Sequence, residues 1–384
     1  MRFPEFSGEW NKYTINDLAT VVGGGTPDTT VKSYWGGDIQ WFTPSEIGKN
    51  KYVDFSKRTI TRDGLDNSSA KLLPLHTILL SSRATVGECS IASNECTTNQ
   101  GFQSLIAKQC NIDFLYYLIQ TKKKDLIRNA CGSTFLEISA NEIRKIKVAV
   151  PVQNEQEQIA KLLSLIDERI ATQNKIIEKL QSLIKGLSQQ LLSSENDWIL
   201  YRLDDLAQIK SGYSGIQVSY QTPYKVSRIE TISKHCIDIQ RIGYVEFIPE
   251  SYKLNVGNIL FSNINSVQYI GNTAYLDKDY GLYHGMNLLR IIPNTTIVRP
   301  RFLHLLLCTD WAINHFQTIC NKAVSQASIN QTALGKSRYP IPPMSVQQQI
   351  CSMFELTERK LGNEQEYISC LQQQKRYLLQ EMFI

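Results

Sequence analysis

Starting at Ile159 and stepping alternately by four and three residues, the chain meets Ile159, Leu163, Ile166, Ile170, Gln173, Ile177, Leu180, Ile184, Leu187 and Leu191. Only Gln173 is polar. Apolar residues at this mean spacing of 3.5, sustained over more than four heptads, predict a long helix with one continuous seam. The same register recurs 191 residues later (350 − 159 = 191), through Ile350, Phe354, Thr357, Leu361, Glu364, Ile368, Leu371, Lys375, Leu378 and Met382. This second seam is weaker but in phase. Pro151 and Pro342 precede the two runs, where proline is tolerated at a helix start. Gly186 and Gly362 fall off the seams and cost about 1 kcal/mol each in propensity.

The rest of the chain is patterned differently. Short apolar runs such as "DIQWF", "HTILLSS" and "YVEFI" are broken by Gly, Pro, Asn and Asp, which reads as strands and turns. Each such stretch is followed by a helical patch, at 112–130 and 300–320.

Beyond the seams the chain also repeats itself. Trp10, Leu18 and Gly24 correspond to Trp198, Leu206 and Gly212 at one offset (198 − 10 = 188). "VPVQNEQEQIAKLL" at 150–163 corresponds to "IPPMSVQQQICSMF" at 341–354, and "ILLSSRATVG" corresponds more loosely to "ILFSNINSV". A unit of this kind, repeated at fixed spacing, predicts a tandem duplication. The expected parts are globular domains at 1–150 and 195–340, and long helices at 151–194 and 341–384. The expected fold class is α+β: two tandem α+β domains separated by two long antiparallel coiled-coil helices, a pseudo-two-fold dumbbell. Its rod is at most about 60 Å long.

Composition narrows the class. The chain has 384 residues, is 42% hydrophobic and 20% charged, and carries a formal charge of +5, a mild basic bias compatible with nucleic acid. No signal peptide or membrane span is read, and nine scattered cysteines without a C-x-x-C pair suit a reduced, cytoplasmic protein.

Catalytic motifs are missing. "VVGGGTPDTTVKSYW" (21–35) has no Walker lysine and no G-x-G-x-x-G at a strand-to-helix turn. Its glycines are read instead as permitting a turn with φ > 0. An N-P-P-Y-like tetrad is absent, and Cys131 with His304 has no protease motif around it. His76, His235, His284, His304 and His315 show no metal-ligand spacing, so no metal site is expected. Lys122, Lys123 and Lys124 read as a solvated helix face.

"RFPEF" with Trp10, "GGGTPDTTVKSYWGGDIQWFTPSEI", "ILLSSRATVG", "VAVPVQNEQEQIAKLLSLID", "VSRIETISKHCID" and "PIPPMSVQQQI" together resemble the specificity subunit of type I restriction-modification systems. The resemblance covers essentially the whole chain. It implies a target-recognition domain in each globe, a bipartite double-stranded DNA target, and spacer helices that dock two methyltransferase subunits, with restriction subunits joining them. It implies no catalytic residue in this chain. S-adenosylmethionine, ATP and Mg would belong to the partners. Two departures stand out. The second half has "KSGYSGIQVSYQTPYKVSRI" in place of the G-T-P…Y-W-G stretch, and Val346-Gln347 where the first half has Glu155-Gln156. A protein-binding scaffold and an orphan DNA-binding relative are the alternative readings.

For such a DNA-binding role, amide, hydroxyl, cationic and aromatic side chains in loops are the candidates for base and phosphate contact. In the first globe these are Thr26, Lys32, Tyr34, Thr43, Ser45, Arg83, Asn99 and Gln100. In the second they are Tyr213, Tyr224, Arg228, Lys234, Asn263, Asn265, Gln268, Asn272, His284 and Asn287. The apolar seam residues are the candidates for the spacer coil and partner docking.

Overall fold

The computed structural model describes residues 2–132, 136–193, 198–233, 235–322 and 326–383. They fold into two units. The first joins residues 1–175 to 365–384, and the second spans 176–364. None of the helices among the described residues is long and apolar enough to cross a membrane.

In the first unit a sheet runs in the order Ala19–Gly23, Gln103–Ala107, Ile78–Leu80, Cys89–Ala92 and Tyr52–Val53. Only the last pairing is parallel. The second unit repeats the first four places with Ala207–Ser211, Leu289–Pro293, Ile259–Phe261 and Thr273–Tyr275. The duplication reaches the register. A small antiparallel pair opens each unit, with Asn11 opposite Val150 in the first and Ile199 opposite Ile341 in the second. These are the same positions under the 188- and 191-residue offsets. Helices Ile112–Thr121 and Pro300–Leu307 cover the equivalent sheet faces, and each buries an apolar stripe that includes Phe114 or Phe302.

Two helices of 39 residues, Gln153–Leu191 and Met344–Met382, follow the globes. Every seam position on both is buried or half-buried. Off-seam Leu165 and Leu183 are 54% and 50% exposed. In the first unit Ile159, Leu163 and Ile166 share a core with Leu378 and Met382, and Asp167 bonds Lys375 at 2.7 Å. The second helix therefore ends beside the start of the first. In the second unit Ile350 and Phe354 share a core with Ile184, Leu187 and Leu191. The two helices are antiparallel. A fully buried Leu or Ile contributes about 1.5–3 kcal/mol, so a handful of such side chains outweighs the two glycines. A Cβ on Gly186 or Gly362 would meet open space.

A buried glutamine fixes each long helix to its globe. Gln156 Nε2 donates to the Pro151 carbonyl at 3.0 Å, while its Oε1 accepts from the Asn111 amide at 3.0 Å. Gln347 does the same 191 residues later, donating to Pro342 at 2.9 Å and accepting from the Arg299 amide at 2.8 Å. It also donates to the Ile297 carbonyl at 3.0 Å. Asn111 and Arg299 are the cap residues of the two sheet-covering helices. The neighbouring position differs between the halves. Glu155 is buried and receives both Arg2 Nε and Nη2, at 2.7 and 2.6 Å, whereas Val346 packs against the apolar core.

Removing the Gln347 amide leaves the Arg299 N–H and two carbonyls unpaired inside the protein, at about 1–3 kcal/mol for each group so stranded. Gln347→Ala is expected to lower the unfolding free energy of the second unit by at least that much in urea titration. Gln349→Ala, on the exposed face of the same turn, is expected to change it by less than about 0.5 kcal/mol.

Candidate nucleic-acid interface

The glycine run lies at one end of the first unit's sheets. None of Gly23, Gly24 and Gly25 has positive φ among the described residues, so the left-handed turn read from the sequence is not what they provide. They provide close approach. A Cβ on Gly24 would fall on the Asn99 and Thr98 carbonyl oxygens, and one on Gly25 on the Ser69–Ala70 backbone. Gly25 N donates to the Thr98 carbonyl at 2.8 Å, and Trp41 Nε1 donates to the Gly25 carbonyl at 2.9 Å.

This contact assembles a cluster. The Thr26 hydroxyl donates to Gln100 Oε1. The Asn99 amide donates to the Phe42 carbonyl at 3.1 Å, which brings in Thr43 and Ser45. Ser82 N donates to the Gly101 carbonyl at 2.8 Å, which brings in Arg83, itself 3.8 Å from Glu137. Six candidates thus converge on one sheet end: Thr26, Thr43, Ser45, Arg83, Asn99 and Gln100. Not all are presented alike. The Thr43 amide and hydroxyl both donate to Glu46 Oε2, at 2.8 and 2.6 Å, and Asn99 Oδ1 accepts from Gly101 N at 2.9 Å. These two shape the backbone, while Ser45 and Gln100 are exposed. Nearby in the chain, Ser82 Oγ, Thr98 Oγ1, Gln103 Oε1 and Ser104 Oγ are buried without a hydrogen-bond partner among the described residues. Such atoms call for water or a ligand group.

Lys32 and Tyr34 sit apart, on a short helical turn held by Thr61, whose amide donates to the Tyr34 carbonyl at 2.9 Å. Beside it the structure adds a residue that sequence reasoning missed. The Arg58 guanidinium lies 3.6 Å over the Trp35 ring and 5.5 Å from Trp41. Only the strand pairing of Trp41 with Arg58 creates this stack. Lys122 to Lys124 are not a uniform solvated face, because Lys122 closes one helix and Lys123 pairs with Glu88.

The second unit uses the same frame with different residues. A Cβ on Gly212 would fall on the Gly285 carbonyl, as one on Gly24 would on Asn99. Tyr213 N donates to the His284 carbonyl at 2.9 Å, and its ring meets Tyr252 at 5.4 Å. Tyr224 packs on Phe247 and Tyr283. Arg228 is exposed, with Nε 3.4 Å from Glu230. Asn263, Asn265, Gln268 and Asn272 all lie between Ile259–Phe261 and Thr273–Tyr275, in the segment that corresponds to the Arg83 loop, with Asn265 in the short strand Ile264–Asn265. Asn265 is spent locally on Ser262 and Ser266, Gln268 is exposed, and Asn263 Oδ1 is buried without a hydrogen-bond partner among the described residues. The Asn272 amide and carbonyl close a turn with Tyr269 and Ser262. Asn287 is exposed with φ 62°, the left-handed region that Asn tolerates. Lys234 lies outside the described residues.

His284 is placed otherwise than a surface contact. It is 1% exposed, and its Nε2 lies 2.9 Å from the Leu288 carbonyl. It lies between Tyr283 and Gly285 in a stretch with no helical or strand period long enough to place it, and the Gly212–Gly285 approach closes over it. The structure also brings His235, His304 and Cys308 within 4.8 Å of one another, from segments far apart in the chain.

The sequence matches a family profile described as the type I restriction modification DNA specificity domain, at residues 7–182 and again at 195–371. It is 33% identical over 282 residues to the type I restriction enzyme MjaIX specificity subunit of Methanocaldococcus jannaschii, covering 65% of this chain and 64% of that one. It is 26% identical over 210 residues to the EcoR124I/EcoR124II specificity subunit of Escherichia coli, covering 53% and 49%. A putative MjaX specificity subunit is 38% identical over 193 residues, covering 49% and 45%. The aligned chain therefore spans about half to just under two thirds of these relatives. Among solved structures, the S subunit of a type I restriction-modification system from M. genitalium superimposes with a TM-score of 0.60 at 16% identity, over 100% and 99% of the two chains. A chain from a structure describing complex assembly of the type I R-M system gives 0.64 at 13%, over 98% of each.

Burial pushes the His284 pKa from the ordinary 6.5 down to about 4. A group held neutral in this way stabilises the fold fully above pH 6.5, and that contribution is lost as pH falls toward 4. It amounts to at most about 3 kcal/mol. Urea unfolding of the second unit, followed from pH 7 to 4, is expected to show this loss in the wild type and a shallower slope in His284→Gln.

Proposed function

We propose that this chain, which belongs to the type I restriction-modification DNA specificity domain family, is the subunit that tells such a complex which DNA to modify. Each unit reads one half of a bipartite double-stranded target. The long helices dock two methyltransferase subunits, and restriction subunits join the assembly. The chain supplies no catalytic group. S-adenosylmethionine, ATP and Mg act on the partners.

The observation that carries this reading is the pairing of an invariant frame with divergent loops. The order of the first four strands of the main sheet, the small-pair register and the glutamine clamp are the same in both units. The loops at the sheet ends carry Thr26, Asn99 and Gln100 in one unit and Tyr213, Gly285 and Asn287 in the other. Two recognition surfaces of different content on one scaffold suit a target with two unlike halves. Exposed Gln100 is suited to an adenine edge, and the Trp35-stacked Arg58 to a phosphate or base face.

Methylome sequencing of cells that express the chain with its partner subunits is expected to reveal one bipartite motif. Exchanging residues 1–150 for the first domain of another member is expected to change one half of that motif only. A change in both halves, or a single-part motif, refutes independent reading. On the assembled complex, Gln100→Ala is expected to cost about 1–3 kcal/mol of discrimination at one base pair. Arg58→Ala is expected to weaken binding across sequences and to flatten the salt dependence by about one phosphate contact.

A further inference from the structure

The second unit contains a constellation for which its role in DNA recognition gives no reason. His304 and Cys308 stand one turn apart at the end of the Pro300–Leu307 helix, with His304 Nε2 3.4 Å from Cys308 Sγ. His235 reaches the same sulfur from the hairpin formed by Ile232–Ser233 and Cys236–Ile237, with Nδ1 3.3 Å away. The three ligand atoms lie within 4.8 Å of one another. A tetrahedral zinc site with Zn–N of about 2.0–2.1 Å and Zn–S of about 2.3 Å separates nitrogen from sulfur by about 3.5 Å. The two observed N–S distances are close to that edge.

Two further observations separate this cluster from ordinary packing. His235 has φ 62°, a left-handed conformation that a residue with a side chain adopts at a cost, and the fold holds it there with the ring aimed at Cys308. The first unit has the same helix but not the same groups. Under the 188-residue offset, Tyr116 and Gln120 stand where His304 and Cys308 do, and neither is a usual ligand for a soft cation. The duplicated fold therefore does not require the cluster.

We propose that His235, His304 and Cys308 bind one thiophilic divalent cation of the zinc class, which fastens the 232–237 hairpin to the helix of the second unit. His235 Nδ1 and His304 Nε2 supply lone pairs, and Cys308 supplies a thiolate, its proton passing to solvent as the metal–sulfur bond forms. Water completes the tetrahedron. Arg301 Nη1 lies 2.9 Å from His304 Nδ1, so in the metal-free protein the ring proton sits on Nε2. Metal at Nε2 moves that proton to Nδ1 and turns Arg301 away, leaving it paired with Glu358. Arg301 is thus a competitor of the metal.

The test is a Co2+ and Zn2+ titration of the full-length chain, with its partner subunits where solubility needs them, after treatment with a chelator. One equivalent of Co2+ is expected to bind with a thiolate-to-cobalt charge-transfer band, which Zn2+ displaces. Cys308→Ser is expected to abolish the band. His235→Asn, a substitution that keeps the left-handed backbone, is expected to lower affinity at least about tenfold with the circular dichroism spectrum unchanged. Arg301→Gln is expected to tighten binding, and Cys236→Ser to leave the band intact. Absence of stoichiometric binding overturns the site, as does a band that survives Cys308→Ser or disappears with Cys236→Ser.

Discussion

A single buried side-chain amide at the first turn of each long helix holds the architecture together. Gln156 and Gln347 each bond backward to the carbonyl of the proline that precedes the helix, and outward to the cap amide of the sheet-covering helix. The helix, the strand that leads into it and the globe's own helix thereby share one polar node. Both amide atoms are satisfied and the side chains are buried, which makes the geometry narrow, because a shifted helix would strand several buried groups together. The apolar seam beyond this node sets how strongly the long helices pack, but apolar contact alone tolerates sliding. The node sets the point from which each helix departs.

The two halves keep this node and differ beside it. In the first half Glu155, also fully buried, is balanced by two donor atoms of Arg2 and by Trp10 Nε1 at 3.3 Å. In the second half Val346 removes both the charge and the need for a cation. A buried carboxylate without its partner is among the costliest errors a core can hold, so these alternatives are all-or-none. The segment around Arg2 is therefore tied to the first unit's core by electrostatics as well as by the packing of Phe3 and Trp10.

Much of this was legible in the sequence, and for identifiable reasons. A seam with period 3.5 survives tertiary context because every member faces the same way, and the seam positions from Ile159 to Leu191 are all buried or half-buried. Repeats kept at nearly constant offsets of 188 and 191 residues marked the duplication before any strand was placed. What escaped was whatever depends on two distant segments meeting. The glycine run reads as a flexible turn in one dimension, whereas in three it is the surface on which Thr98, Asn99, Ser69 and Ala70 rest. The Arg58–Trp35 stack needs a strand pairing, and the burial of His284 needs the Gly212–Gly285 approach. His304 and Cys308 do have a helical i, i+4 spacing, and a scan for that pattern with mixed His and Cys would have found them. The third member, His235, had no such signal.

The way the loop clusters are held bears on what they can become. In both units the contact that gathers the loops is made by backbone: Gly24 against the Asn99 carbonyl in one, Gly212 against the Gly285 carbonyl in the other, with Gly25 N or Tyr213 N bonding across. Backbone atoms are present whatever the side chains are. Replacing Asn99 by another residue, or Thr26 by a tyrosine one place earlier, leaves that contact intact, and these are the kinds of difference seen between the units. A cluster held by interlocking side chains would make each new surface a packing problem at about 1–3 kcal/mol per misfit. A cluster held by glycine against carbonyl confines sequence constraint to a few small residues and frees the rest. A scaffold proposed to carry two recognition surfaces of different content on one frame uses that separation, and here it rests on positions whose main demand is the absence of a Cβ.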